Sequence, residues 1–302
     1  MARHAYLVMA HTDFPTLRRL LSVLDDDRND IYLHVDARAQ APSAAELAGV
    51  VRRSRLVLTP RSRVGWGGYS QVECELMLLR EATARPHRFY HLSSGADLPL
   101  LGQDASHQYF DDHDGTEFVH LAGADDDWLL ERVRRKHLFT EHGRSRVGRV
   151  RRRTMTVLDR GYAALQTLTG TDRRADERPV VKGSQWFSIT DDLARYVLDH
   201  EPWIRARFRR AICPDEFFLQ TLVWSSPFRE RLHHGVLDDD YRASLRKIDW
   251  GRGWPYVWRS QDLDELRAAP EDGYLFARKF DSAVDTAVID ALVAGVLDGR
   301  GR

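Results

Sequence analysis

The run Ala5-Tyr6-Leu7-Val8-Met9-Ala10 is apolar without period-two alternation, which suits a parallel strand covered on both faces. After it the spacing changes. Leu17, Leu20, Leu21 and Leu24 recur on one helical face and predict a helix over 14–24. Residues 31–35 and 56–58 read as two more strands, 71–84 as a long helix and 89–92 as a fourth strand. Strands alternating with helices predict an α/β fold: a doubly wound, Rossmann-like mixed sheet flanked by helices, with its ligand crevice beyond the carboxyl ends of the strands. The residues at those ends are His11 and Asp13, Asp36, Arg61 and Arg63, and the stretch Ser93-Ser94-Gly95-Ala96-Asp97. No Gly-x-Gly-x-x-Gly follows the first strand and no Gly-Lys-Ser/Thr loop occurs, so dinucleotide and P-loop readings lose their main support.

Residues 125–178 break the pattern. Between Arg132 and Arg153 there are ten Lys/Arg against one Glu, followed by Val157, Leu158, Tyr162, Leu165 and Leu168 at amphipathic helical spacing. This reads as a basic, partly helical insertion: a solvated loop, an acceptor-binding lid, or a peripheral membrane contact through 132–153. A last helix is predicted over 287–297.

Composition narrows the function. The 302 residues are 43% hydrophobic, enough to bury one large core or two coupled lobes, and a single domain is expected. The 45 Lys+Arg balance 45 Asp+Glu, so no global charge recruits nucleic acid. Phe139 and Tyr162 are too sparse in the basic stretch for a stacking platform. Cys74 and Cys213 are too few for a disulfide framework, and the short apolar start falls well below a signal segment. A reducing, cytoplasmic location is expected.

Three segments carry candidate chemistry. Pro214-Asp215-Glu216 places two carboxylates on the first turn of an aromatic helix; Lys182-Gly183-Ser184-Gln185-Trp186 is a tight turn leading to a strand; Phe276-Ala277-Arg278-Lys279-Phe280 is a cationic strand. A base, a ligand-approaching turn and fixed cations are what a sugar transferase needs if no metal neutralises its leaving group. The acidic clusters 25–27, 111–114, 125–127 and 238–240 could hold a divalent ion, yet none directly follows a hydrophobic strand. Asp36 does end a strand, but Ala37-Arg38 follow it without a second carboxylate. No metal is expected.

These segments occur in one order with His34-Val35-Asp36, Trp66-Gly67-Gly68-Tyr69-Ser70 and Leu92-Ser93-Ser94-Gly95-Ala96-Asp97-Leu98-Pro99. Together they resemble the core-2/I-branching β-1,6-N-acetylglucosaminyltransferase family, which also contains peptide O-xylosyltransferases. The resemblance implies a GT-A fold, a UDP-sugar donor with N-acetylglucosamine favoured and xylose next, inversion at the anomeric carbon, and no divalent metal or other cofactor. It assigns 1–122 to nucleotide-sugar binding and 180–302 to catalysis and acceptor.

By position, Glu216 matches the family's catalytic base and Lys279 its phosphate-contacting lysine. Arg246 is the candidate second cation, with Arg252, Arg259 and Arg278 as rivals. His11, Asp36, Arg63, Trp66, Gly95 and Asp97 are the nucleotide and donor candidates, Asp97 either bonding sugar hydroxyls or closing its own turn. Gly183, Ser184, Gln185, Trp186 and Asp215 are placed around the acceptor and donor pocket. Asp215 is also expected to cap the helix after it, and Ser70 to cap the long helix. A glycan, lipid-linked glycan or small-molecule hydroxyl is the expected acceptor. The alternative is a non-catalytic glycan- or nucleotide-sugar-binding protein of the same fold.

Overall fold

The computed structural model of this chain describes residues 3–123, 127–142, 148–170, 179–237 and 241–299. The chain runs β1 His4–Ala10, α1 Phe14–Leu24, β2 Asn29–Val35, α2 Ala44–Ala48, β3 Arg55–Leu58, α3 Tyr69–Thr83 and β4 Phe89–Ser94. It continues through β5 Asp97–Pro99, α4 Gln103–Asp112, β6 Phe118–Val119, α5 Asp127–Arg134, α6 Arg149–Thr169, β7 Phe187–Thr190, α7 Asp191–Asp199, α8 Glu201–Phe208 and α9 Phe218–Trp224. It ends with β8 Arg246–Ile248, α10 Leu263–Ala268, β9 Phe276–Arg278 and α11 Thr286–Leu297.

One sheet has the order β3-β2-β1-β4-β7-β6; β1 lies parallel to β2 and β4, while β7 runs antiparallel to β4 and to β6. A smaller sheet, β5-β9-β8, stands beside it. This is the mixed, helix-flanked α/β sheet expected. Side chains explain it: β1 is buried almost throughout, as its unalternating sequence requires, and each face of the sheet has its own apolar layer. One layer joins Val72, Leu76 and Leu79 of α3 to Leu193 of α7 and Phe218 of α9; the other joins Leu17, Leu20 and Leu21 of α1 to Phe110, Ile289 and the β8–β9 region.

Two local expectations need correction. Ser70 does not cap α3: the N-cap is Gly68, and the Ser70 hydroxyl accepts from the Gly65 N–H and meets the Glu141 carboxylate. Pro214–Glu216 is a separate 3-10 turn preceding α9, so the two carboxylates are not on that helix's first turn, and Asp215 makes no capping bond. Where the basic insertion is described it is built of α5, a short turn and α6. Val133 of α5 is fully buried, and the Arg207 guanidinium donates to its carbonyl at 2.9 Å. Among the described residues no helix is long and apolar enough to cross a membrane.

Candidate active site

The carboxyl ends of β1 and β4, the start of the antiparallel β7 and the end of β9 meet along one edge. Glu216 is held there by its backbone. The Gly183 N–H donates to the Glu216 carbonyl at 2.8 Å, and the Cys213 N–H donates to the Gly67 carbonyl at 2.8 Å. Cys213 has φ 49°, the left-handed region that a side chain occupies at a cost of about 1–3 kcal/mol. Facing it, Gly67 has φ +74°, and a Cβ there would lie 3.2 Å from the Cys213 sulfur. The Cys213 thiol is buried and its pKa pushed up to about 12 by burial, which makes it a packing residue, not a nucleophile.

The Glu216 side chain is 33% exposed, with Arg132 at 3.6 Å and Lys182 at 3.8 Å from Oε2. Such long, partly solvated pairs orient a carboxylate while leaving a lone pair for an incoming hydroxyl. Asp215, one residue earlier, points the other way. It is buried, one oxygen accepts from Gln71 Nε2 at 3.2 Å and the other has no partner. Burial first, then the charge of Glu216, pushes its pKa up, favouring the protonated form of Asp215. Glu75, fully buried and likewise shifted upward by burial and by Asp215, accepts from Gln185 Nε2 at 2.8 Å. Gln71 also accepts from the Gly67 N–H, so α3 ties together the loop at Gly67 and the turn carrying Glu216.

Gln71 and Glu75 were not singled out from the sequence. Their signal was present: two polar residues at i and i+4 on the face of α3 that carries Val72, Leu76 and Leu79 inward.

Gly183 has a different reason from the ligand approach expected of it. A Cβ at Gly183 would lie 1.9 Å from the His120 carbonyl oxygen, so glycine is required by backbone packing. Ser184 bonds the same segment, its N–H donating to His120 Nδ1 at 3.1 Å, and its carbonyl accepts from Gln220 at 2.7 Å. Gly183→Ala is therefore expected to cost about 1–3 kcal/mol as overpacking. A melting temperature equal to the wild type's would contradict this. Trp186 is buried, with the Arg278 guanidinium 4.4 Å from its ring centroid.

The cations separate clearly. Lys279 lies just past β9, half-buried, and among the described residues no carboxylate pairs with it. His11, at the end of β1, has its pKa lowered by desolvation and then by the Lys279 charge. Arg278 is engaged, donating to Asp97 at 2.6 Å and to the Ser94 hydroxyl.

Arg246 departs from expectation. It is fully buried, donating to the carbonyls of Ser244 at 2.8 Å, Leu92 at 3.0 Å and Phe187 at 3.3 Å, with Phe276 stacked 3.9 Å from its guanidinium carbon. It clamps the two sheets from within, its guanidinium shielded from solvent. Arg252 is spoken for as well, by Asp249, Asp262 and Glu265.

Asp97 closes its own turn: its carboxylate accepts from the Ser94 N–H at 2.7 Å and from the Ser94 hydroxyl at 2.8 Å, and is 1% exposed. Of the two readings of Asp97, these bonds are those of the turn-closing one. Gly95 is small because a Cβ would meet that of Ala10 at 3.1 Å; it has no left-handed φ. Asp36 is also saturated, bonded by Arg38 through its guanidinium and N–H and by the Val64 N–H at 2.8 Å. Burial opposes its charge, but these bonds hold its carboxyl well below the usual range. Its role is to fix the loop bearing Arg63 and Trp66, both of which are exposed. Arg63 lines a cleft of about 600 Å³ with Arg38, Tyr69, His137 and Glu141. Neither Glu216 nor Lys279 lines it.

The clusters 25–27 and 111–114 are engaged by protein partners. Asp25 accepts from the backbone of Arg52, Arg53 and Ser54, Asp26 pairs with Arg28, and Asp111 and Asp114 pair with Arg88. Among the described residues no group of three or more His, Cys, Asp or Glu could hold a metal ion. Asp125, Asp126 and 238–240 lie outside the described residues.

Comparison with known proteins adds to the geometry. The profile of the core-2/I-branching enzyme family matches residues 4–265. Xylosyltransferase sqv-6 of Caenorhabditis briggsae is 24% identical over 295 residues, covering 91% of this chain and 34% of its own length. Xylosyltransferase 2 of Rattus norvegicus is 24% identical over 313 residues, covering 97% of this chain and 33% of its own. The chain thus spans about a third of the length of these relatives. Among solved structures, mouse xyloside xylosyltransferase 1 in its apo form aligns with a TM-score of 0.37 at 11% identity, covering 90% of this chain and 97% of that one. The matched span takes in β1 to β8, the Gly183 turn and the Pro214–Glu216 turn, and on that match the chain belongs to the core-2/I-branching enzyme family, a family of glycosyltransferases.

Proposed function

We propose that this chain transfers a sugar from a UDP-sugar to an acceptor hydroxyl, with inversion and without a divalent metal. The observation that carries this is Glu216: a partly exposed carboxylate on a turn anchored to Gly183 and Gly67, beside two cations and next to the buried Asp215. Glu216 takes the acceptor proton as the acceptor oxygen attacks the anomeric carbon. The diphosphate leaves from the opposite face toward Lys279, whose ammonium offsets the developing charge. Arg246 takes no part, so Lys279 carries more of that task than a paired arrangement would require. His11, at the end of β1, meets the nucleotide as a neutral imidazole.

The donor is xylose or N-acetylglucosamine linked to UDP. The relatives named xylosyltransferases favour xylose, whereas the sequence motifs put N-acetylglucosamine first. Thermal shift with each UDP-sugar discriminates them, and a non-catalytic binding protein would shift equally well while releasing no UDP.

The metal question has its own test. EDTA is expected to leave turnover within about twofold, while Lys279→Ala weakens UDP binding roughly 10–100-fold, as loss of a charge-assisted contact implies. Activity abolished by EDTA and restored by manganese would remove the cationic mechanism.

A further inference from the structure

Helix α6 presents its apolar side chains on the face opposite to the one an ordinary surface helix buries. Such a helix packs an apolar stripe on the protein and turns polar groups to solvent. In α6 the groups that bond the body are polar, with, among the described residues, only Met155 and Ala163 as partly buried apolar neighbours on that side. The Asp159 carboxylate accepts from the Leu138 N–H at 2.8 Å and lies 2.8 Å from His137 Nδ1. Gln166, buried, accepts from the Lys136 N–H and donates to the Lys136 carbonyl, both at 2.9 Å. The Tyr162 hydroxyl accepts from Arg210 at 3.3 Å.

Outward stand Val150, Val157, Leu158, Leu165 and Leu168, all exposed, with Val150 at 80% and Leu168 at 85%. At about 100° per residue, Val150, Val157 and Leu168 share one line that is roughly opposite Asp159 and Gln166. Arg151 flanks this stripe on one side and Arg153 and Arg160 on the other, and all three are exposed. The one acid in the helix, Asp159, is already bonded.

We propose that this outward face of α6 docks on an anionic lipid bilayer. The helix lies in the interfacial plane, its valines and leucines enter the acyl boundary, and Arg151, Arg153 and Arg160 meet lipid phosphates. A 21-residue helix offers about 30 Å of such contact. The contact is peripheral, because α6 is too polar to span. Charge separates this occupant from a second copy of the chain: pairing two such faces would set arginine against arginine with no exposed acid on α6 to relieve them. The inference is independent of the proposed reaction.

Co-sedimentation of the full chain with phosphatidylcholine vesicles, with and without phosphatidylglycerol, tests it. The chain is expected to pellet with the anionic vesicles at low salt and to be released as salt rises. Val157→Ser with Leu165→Ser should lower that partition roughly 10–100-fold while leaving the melting temperature unchanged, since both side chains are exposed. Leu168→Cys carrying an environment-sensitive fluorophore should shift to the blue on the same vesicles, the native Cys74 and Cys213 being buried. Three outcomes would overturn the assignment: no binding to anionic vesicles, binding unchanged in the double variant, or a concentration-dependent dimer that the double variant abolishes without vesicle binding in the wild type.

Discussion

Glu216→Gln is expected to lower sugar transfer by about 10²–10⁴-fold while UDP affinity stays within a few-fold. The amide keeps the shape and leaves the Gly183 N–H to Glu216 carbonyl bond intact, so the turn survives and only the proton acceptor is lost. The neighbouring acid is not placed to substitute: Asp215 is buried, and burial, the larger cause of its raised pKa, persists when the Glu216 charge is removed. Single-turnover kinetics with donor binding measured in parallel check this. Turnover retained within a few-fold would take Glu216 out of the reaction, and loss of UDP affinity together with turnover would point to a collapsed turn instead.

Arg246→Ala is expected to cost about 3–5 kcal/mol of stability, the scale of removing one side of a buried charged network. Truncation would leave the Ser244, Leu92 and Phe187 carbonyls without their donor and open a cavity beside Phe276. Arg246→Lys should recover only part, because a compact ammonium cannot span carbonyls that a planar guanidinium reaches at once. Burial has already lowered the Arg246 pKa to about 10, so the group stays charged at neutral pH. Chemical denaturation with and without UDP separates the two roles. A variant with native stability but weakened UDP binding would return Arg246 to the diphosphate.

Much of the architecture was legible because its signal is local. The unalternating strand at β1, the leucine spacing of α1, and the switch to basic composition before α6 each follow from a few neighbouring side chains, and the helix predicted over 14–24 is the one observed. The roles of single polar residues were far less legible. Asp36 and Arg246 were placed toward a ligand and Asp97 was left between a ligand and its own turn, and each side chain is bonded within the protein itself. A polar residue at a strand end carries the same signature whether its partner is a substrate or a carbonyl from another element.

What the sequence determined by itself is the α/β framework, the family to which the chain belongs, and the segments that surround the crevice, because periodicity and ordered motifs are properties of the chain alone. Only the tertiary structure decided which carboxylate is exposed and which is buried, since Asp215 and Glu216 are adjacent in sequence and a 3-10 turn after a left-handed Cys213 sends them to opposite environments. It likewise separated Lys279, just past β9, from Arg246 on the neighbouring β8, because exposure and pairing are set by residues distant in the chain: Leu92 and Phe187 claim Arg246, and among the described residues no carboxylate claims Lys279.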